Sequence, residues 1–247
     1  MSIKTPEELE KMKAAGQIVR RMLDAMKSAV RSGITTGELD AIGAETMRQN
    51  GARSAPALVY GFPGVSCISV NDEIVHGIPG RRKLRNGDLL KLDVTIEKDG
   101  FMADAAETIV VGEASPLGQL LASCARRAFE KSLAAARAGN RIHEIGRAIE
   151  TEVRNSGFFV IHELCGHGIG RTIHEEPSVP NYADPMARQL LTEGLVITIE
   201  PIIASQSSKA FLARDGWTMR TADRGLAAHH EHTLMITNSE PLLLTAA

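Results

Sequence analysis

The sequence predicts an α+β fold made of two pseudo-symmetric halves. Two observations carry the prediction: the order of helical and β-rich stretches, and an internal repeat. Two helices are followed by short strands, and then two more helices by more strands. Shifting the chain by 106 residues places Gly33 on Gly139, Glu38 on Glu144, Arg48 on Arg154 and Gly51 on Gly157. A shift of 107 places Leu84 on Leu191 and Gly87 on Gly194, and sets Asp93 close to Glu200. Each of these acids follows its glycine by six residues, inside an apolar strand. The expected organisation is one domain over 1–247, with halves of about 1–112 and 113–247. Each half would send a strand carboxylate to a shared centre.

The elements follow in order. Thr5 can cap a first helix, Pro6 suits its first position, and Glu8 would complete a capping box. Met12, Ala15, Val19, Met22 and Met26 then recur at helical spacing until Gly33. A second helix runs from near Thr36 to Gly51, a C-terminal cap. From Leu58 to Val111 the texture becomes short β-rich runs broken by Gly, Pro and Asn. Two helices near 115–138 and 141–155 precede a second β-rich stretch from Phe158 onward.

Composition bounds the function. With 247 residues, 43% hydrophobic and 23% charged, the chain is an ordinary globular one with enough length for a large core. A net charge of -2 argues against general attachment to nucleic acid or to anionic membranes. Cys67, Cys124 and Cys165 are odd in number and scattered, so no disulfide framework is expected and a reducing compartment is the simpler setting. Neither a signal-peptide core nor an apolar run of membrane-spanning length is found, and the expected location is the cytoplasm.

Acidic residues inside apolar runs carry the chemistry. The segment 89–96 (LLKLDVTI) reads as a buried strand, and Glu97-Lys98-Asp99-Gly100 as a turn that returns through Phe101-Met102-Ala103-Asp104. A four-residue loop sets Asp93 directly opposite Asp104; a two-residue loop at Asp99-Gly100 makes them diagonal neighbours on one face. Facing carboxylates repel, and a multivalent cation converts that repulsion into shared attraction. Glu200 sits in the otherwise nearly all apolar run Leu195–Ile203, and charged residues are rarely buried unless paired. His167 lies between glycines in CGHGIG, where the backbone can approach a ligand closely. In HHEHT, the residues His229, His230, Glu231 and His232 all compete as ligands, with His230 and Glu231 on opposite strand faces. Several carboxylates and one imidazole suit Mn, Fe, Co or Zn better than a thiolate zinc site, and the count suits two ions. No phosphate loop and no Gly-x-Ser-x-Gly elbow occurs.

The segments 71–79 (NDEIVHGIP), 91–104 (KLDVTIEKDGFMAD), 165–177 (CGHGIGRTIHEEP), 198–201 (TIEP) and 231–233 (EHT) resemble those of type I methionine aminopeptidases. Order and separations match over nearly the whole chain. The resemblance implies the pita-bread fold, a pseudo-symmetric α+β domain with a central antiparallel sheet and a dinuclear metal site. It implies that Asp93 chelates one divalent ion, that Asp104 and Glu231 bridge both, and that His167 and Glu200 bind the other. His76 and His174 would contact substrate and stabilise developing charge, with Glu200 as general acid–base. Phe62, Cys67 and Trp217 would line the methionine pocket. The reaction implied is hydrolytic removal of the N-terminal methionine from nascent proteins and peptides by metal-activated water. The ions would be Co, Mn, Fe or Zn.

Departures from the family pattern are Ile173 and Val59, where aromatic residues are common, and the pair His229 and His230. The pair would either add a metal site or be solvated. The expected partners are the N-termini of nascent polypeptides, with any ribosome contact made through the domain surface. Neither membrane nor specific nucleic acid is expected, and the chain should be a monomer. An X-proline peptidase of the same fold usually carries a further N-terminal domain, and a non-catalytic scaffold would not need all five ligand positions.

Overall fold

A computed structural model of the chain describes residues 1–113 and 115–246. It opens with α1 (Pro6–Ala29), α2 (Thr36–Gln49), β1 (Arg53–Ser54), α3 (Ala55–Tyr60), β2 (Cys67–Val70), β3 (Glu73–Val75), β4 (Leu89–Lys98) and β5 (Phe101–Val110). Next come α4 (Pro116–Ser132), a 3-10 turn at Leu133–Ala135, α5 (Ile142–Asn155), β6 (Phe159–Val160), β7 (Cys165–Gly168) and β8 (Glu175–Pro180). The chain finishes with β9 (Val196–Ile199), β10 (Ile202–Ala204), β11 (Ala210–Leu212), β12 (Met219–Thr221), β13 (Ala227–His229), β14 (Glu231–Met235) and β15 (Leu242–Leu243).

The helices start where capping chemistry starts them. Thr5 accepts from the Glu8 backbone N–H at 3.2 Å, and Pro6 follows. The expected reciprocal half of this box does not form: the Glu8 carboxylate accepts instead from Lys4 N at 2.8 Å and pairs with Arg171. The complete box is at α2, between Thr35 and Glu38. A further correction concerns Leu58–Tyr60, which lie in α3 rather than in a β-rich run. Ser54 caps α3, Pro56 sits in its first turn, and Gly61 ends it in the left-handed region at φ 72.

The central sheet has nine strands among the described residues, with path order β1-β4-β5-β14-β9-β7-β8; β2 also pairs with β4, and β15 with β14. All its pairings are antiparallel. Strand alternation gives the sheet two unlike faces. On one, Leu92, Val94, Ile96, Ala103 and Ala105 pack with the apolar stripe of α1 (Met12, Ala15, Val19, Met22). Farther along, Ile197, Ile199 and Leu234 pack with Leu121, Ala125 and Phe129 of α4 and Ile145 and Ile149 of α5. Burying each large aliphatic side chain contributes about 1.5–3 kcal/mol, so the helices clamp this face firmly. The opposite face carries the polar residues.

The run Leu195–Ile203 is not one strand. Proline has no N–H for the ladder, and the strand breaks at Glu200-Pro201. Beyond the break, β10 leaves the central sheet and pairs with β13 and β6. His230 interrupts the neighbouring chain at the same level, and its N–H donates to Pro201 O at 3.3 Å. The two glutamates Glu200 and Glu231 flank this double break. Among the described residues, no helix is long and apolar enough to cross a membrane.

Candidate metal centre

The polar face is built in cross-strand rows. In the β4–β5 hairpin Asp93 pairs with Ala106 and Thr95 with Asp104, with Asp99-Gly100 as a two-residue turn. The acids are therefore diagonal neighbours on one face. Cys67 of β2 lies opposite Asp93, and Glu231 of β14 opposite Ala106. With His232 paired to Ile199, the next step in register brings Glu231 level with Glu200. The first row thus reads Cys67, Asp93, Ala106, Glu231, Glu200. The alanine at its middle leaves room between acids.

Threonines tie the second row together. It reads Thr95, Asp104, Thr233, Thr198, His167. Asp104 N donates to Thr233 Oγ1 at 2.9 Å, and that hydroxyl donates to Asp104 O at 2.8 Å. Thr233 pairs with Thr198, whose hydroxyl accepts from His167 N at 3.0 Å and donates to Glu200 Oε1 at 2.8 Å. The five expected ligands, Asp93, Asp104, His167, Glu200 and Glu231, are therefore brought together on two adjacent rows of one sheet.

The glycines around His167 serve close approach. A Cβ on Gly166 would sit 2.5 Å from Thr198 O, and one on Gly168 2.3 Å from Glu176 O. Without side chains there, β7 settles between β8 and β9. His167 Nδ1 donates to Gly168 O at 2.9 Å, since a carbonyl only accepts. This fixes the tautomer and leaves the Nε2 lone pair facing Glu200 Oε1, 3.5 Å away.

Electrostatics fit a cation. Asp104, Glu200 and Glu231 are buried side chains, and Asp93 lies among them. Burial pushes the Asp93 carboxyl up to about 7 and Glu200 up to about 8. Burial, followed by the neighbouring carboxylates, drives Asp104 and Glu231 well above the usual range. Asp93 and Asp104, diagonal neighbours on one face, raise each other's cost of ionisation when no counterion is bound. Asp104 Oδ1 and Glu231 Oε1 are buried with no hydrogen-bond partner. Ligand atoms of Asp104, His167 and Glu231 lie within 4.8 Å of one another, and so do those of Glu200, His229 and Glu231. Hard oxygen donors with orphaned lone pairs fit divalent ions.

Two small cavities adjoin. One, of about 90 Å³, is lined by the acids together with His76, His167, His174 and His229. The other, of about 100 Å³, is lined by Tyr60, Phe62, Cys67, Ile173 and Trp217, and shares His76, Asp93, Asp104 and His174 with the first. Phe62 and Trp217 meet edge to face, with centroids 5.2 Å apart. Ile173 does line this apolar cavity, whereas Val59 is an exposed residue of α3. His76 is held at φ 57, in the left-handed region, and burial lowers its imidazole to about 4. His174 is also kept neutral by burial, and its ring stands at 72° to that of His167.

The solvated alternative is overturned for His229. His229 is 1% exposed, with Nε2 3.4 Å from Glu231 Oε2. His230 is half-buried on the other side of the strand, against Phe129 at 5.2 Å. Three features escaped sequence reasoning. Tyr60 Oη meets His174 Nδ1 at 2.6 Å. The threonines of the second row carry no distinctive sequence signal. Lys91 is buried on the polar face, donating to Asn71 O at 2.8 Å and Ala227 O at 3.2 Å, and burial lowers its ammonium to about 7. A lysine inside LLKLDV was the available sign of it. The three cysteines are free.

Against known proteins, the model of metallopeptidase family M24 matches residues 10–238. Methionine aminopeptidase 2 of Bacillus subtilis is 44% identical over 247 residues, covering 99% of each chain. The crystal structure of methionine aminopeptidase from Thermotoga maritima superposes with a TM-score of 0.96 at 34% identity, covering 100% of both chains. Prolidase from Pyrococcus furiosus superposes at 0.80 with 24% identity, over 99% of this chain and 65% of that one, a likeness of fold alone. The fold is the pita-bread fold that these share.

Proposed function

The chain belongs to metallopeptidase family M24, and we propose that it is a metal-dependent aminopeptidase that removes the N-terminal methionine from proteins and peptides. The observation that carries the reading is the acidic double row opening onto a small apolar cavity. Asp93 would hold one divalent ion, His167 and Glu200 the other, with Asp104 and Glu231 shared between them. Such ions, when bound, supply Lewis acidity and a nucleophilic water at neutral pH.

The chain's own residues do the rest. Phe62, Cys67 and Trp217 receive the methionine side chain, whose flexible thioether suits an irregular apolar cavity. The acidic chamber beside it accommodates a free amine, which restricts cleavage to the chain end. Glu200, oriented by the Thr198 hydroxyl that donates to its Oε1, is placed to take a proton and return it to the leaving amine. His76 and His174, neutral and at the junction of the cavities, donate toward the charge developing on the scissile carbonyl oxygen.

One catalytic domain spanning 1–247, with halves of about 1–112 and 113–247, fits a site assembled from strands of both stretches. The substrate class suits action in the cytoplasm on chains emerging from ribosomes. The reading is tested by incubating Co(II)-loaded protein with Met-Ala-Ser, N-acetyl-Met-Ala-Ser and Ala-Pro. Free methionine from the first alone is expected. Cleavage of Ala-Pro, or of the blocked peptide, would refute it.

A further inference from the structure

His229 continues the polar face by one more row. Its backbone exchanges two hydrogen bonds with the Thr108 hydroxyl, at 2.8 and 2.7 Å. Thr108 lies two residues beyond Ala106, the partner of Glu231. On its other side His229 pairs with Ile202 of β10. The side chain is thus held from both flanks and directed into the acidic cavity, which it lines.

There the imidazole finds no ordinary partner. Both ring nitrogens are buried and make no hydrogen bond. Nε2 lies 3.4 Å from Glu231 Oε2 and 3.8 Å from Glu200 Oε2, beyond a good N–H···O bond. The spacing does fit the edge of a metal polyhedron. Two ligands bound at ~2.1 Å in tetrahedral geometry stand roughly 3.4 Å apart. The contact of His167 Nε2 with Glu200 Oε1, at 3.5 Å, is of the same kind. Glu200 therefore has an imidazole facing each of its oxygens. An unpartnered buried polar group is destabilising, and a shared cation satisfies several such groups at once.

We propose that His229 is a sixth protein ligand, a second imidazole that binds a divalent ion held by Glu200 and Glu231. The proposal rests on the metal-centre reading above. It gives this chain a centre with two nitrogen donors, which shifts its preference toward metals that favour imidazole, such as Co(II) and Zn(II), over Mn(II).

The test is X-ray absorption of the full chain loaded with two equivalents of Co(II), counting imidazole scatterers. The wild type should average one imidazole per cobalt. His229→Gln, which keeps a polar side chain, should average one half, and so should His167→Gln. Titration of the metal-stripped proteins with Co(II) should show at least a roughly ten-fold loss of affinity for one ion in His229→Gln. A count of one half in the wild type would overturn the proposal whatever the variants do. A count unchanged in His229→Gln would also overturn it, and would assign the second imidazole elsewhere. Failure of the wild type to take up Co(II) at all would remove the metal centre and this ligand together.

Discussion

Tyr60 Oη and His174 Nδ1 lie 2.6 Å apart, across 114 residues of sequence. Burial holds the phenol protonated and the imidazole neutral. A phenol donating to Nδ1 leaves the hydrogen on Nε2, the nitrogen free to meet substrate. Tyr60→Phe should therefore lower kcat on Met-Ala-Ser by roughly ten-fold, as expected for a misoriented catalytic group. Co(II) affinity should be unchanged, because Tyr60 touches no ligand. Isothermal titration beside steady-state kinetics separates the two effects.

The apolar cavity should act on substrate binding. Trp217 forms one wall against Phe62. Trp217→Ala removes contact with the bound side chain, and KM for Met-Ala-Ser should rise at least ~10-fold. Discrimination between methionine and leucine at the first position should weaken in the same variant. A KM within two-fold of wild type would place the side-chain pocket elsewhere.

The carboxylates make opposite predictions for the stripped and loaded states. Without cations, the four buried acids repel, and neutralising one relieves that repulsion. Asp104→Asn should raise the melting temperature of chelator-treated protein by about 2–4 °C, equivalent to about 1 kcal/mol. The same change should abolish the further rise that Co(II) gives the wild type. Differential scanning fluorimetry with and without metal reads both signs.

On the far side of the hairpin, Glu107 accepts from Arg20 at 2.5 Å and Lys27 at 2.7 Å. Burial alone would raise its carboxyl, but these hydrogen bonds hold it down to about 2. A depressed folded value stabilises above the ordinary value of 4.5, and the stabilisation is lost as pH falls toward 2. Glu107→Gln should cost on the order of 2 kcal/mol at pH 7, allowing for the exposed Lys27. The difference from wild type should shrink between pH 4.5 and 3. Urea unfolding of the two metal-stripped proteins across that range checks it.

Much of this site was legible because burial of charge leaves a mark in sequence. Asp93 and Glu200 stood out as acids in apolar strands, and His167 as an imidazole between glycines. The first helix announced itself through Thr5-Pro6 and the second through its end at Gly51, whereas the capping box of Thr35 and Glu38 went unread. What stayed hidden depends on register. Whether Asp93 and Asp104 face or sit diagonally was decided by a two-residue turn, since Glu97 and Lys98 continue the strand. The contact of Tyr60 with His174 depends on α3, which in sequence reads as part of a β-rich run. His229 could not be ranked against His230 and Glu231 by spacing, because Pro201 and the paired break at His230 set which side chains turn inward. The Glu8 carboxylate had two backbone amides within reach and took Lys4.

The most direct measurement is methionine release from Met-Ala-Ser by metal-stripped protein as Co(II) is added stepwise, beside Asp104→Asn. Release should be absent without metal, rise with bound Co(II) to a plateau near two equivalents, and stay absent in the variant. A folded wild-type protein that binds two Co(II) and releases no methionine, or equal release by Asp104→Asn, would contradict the assignment of the double row as the catalytic metal centre.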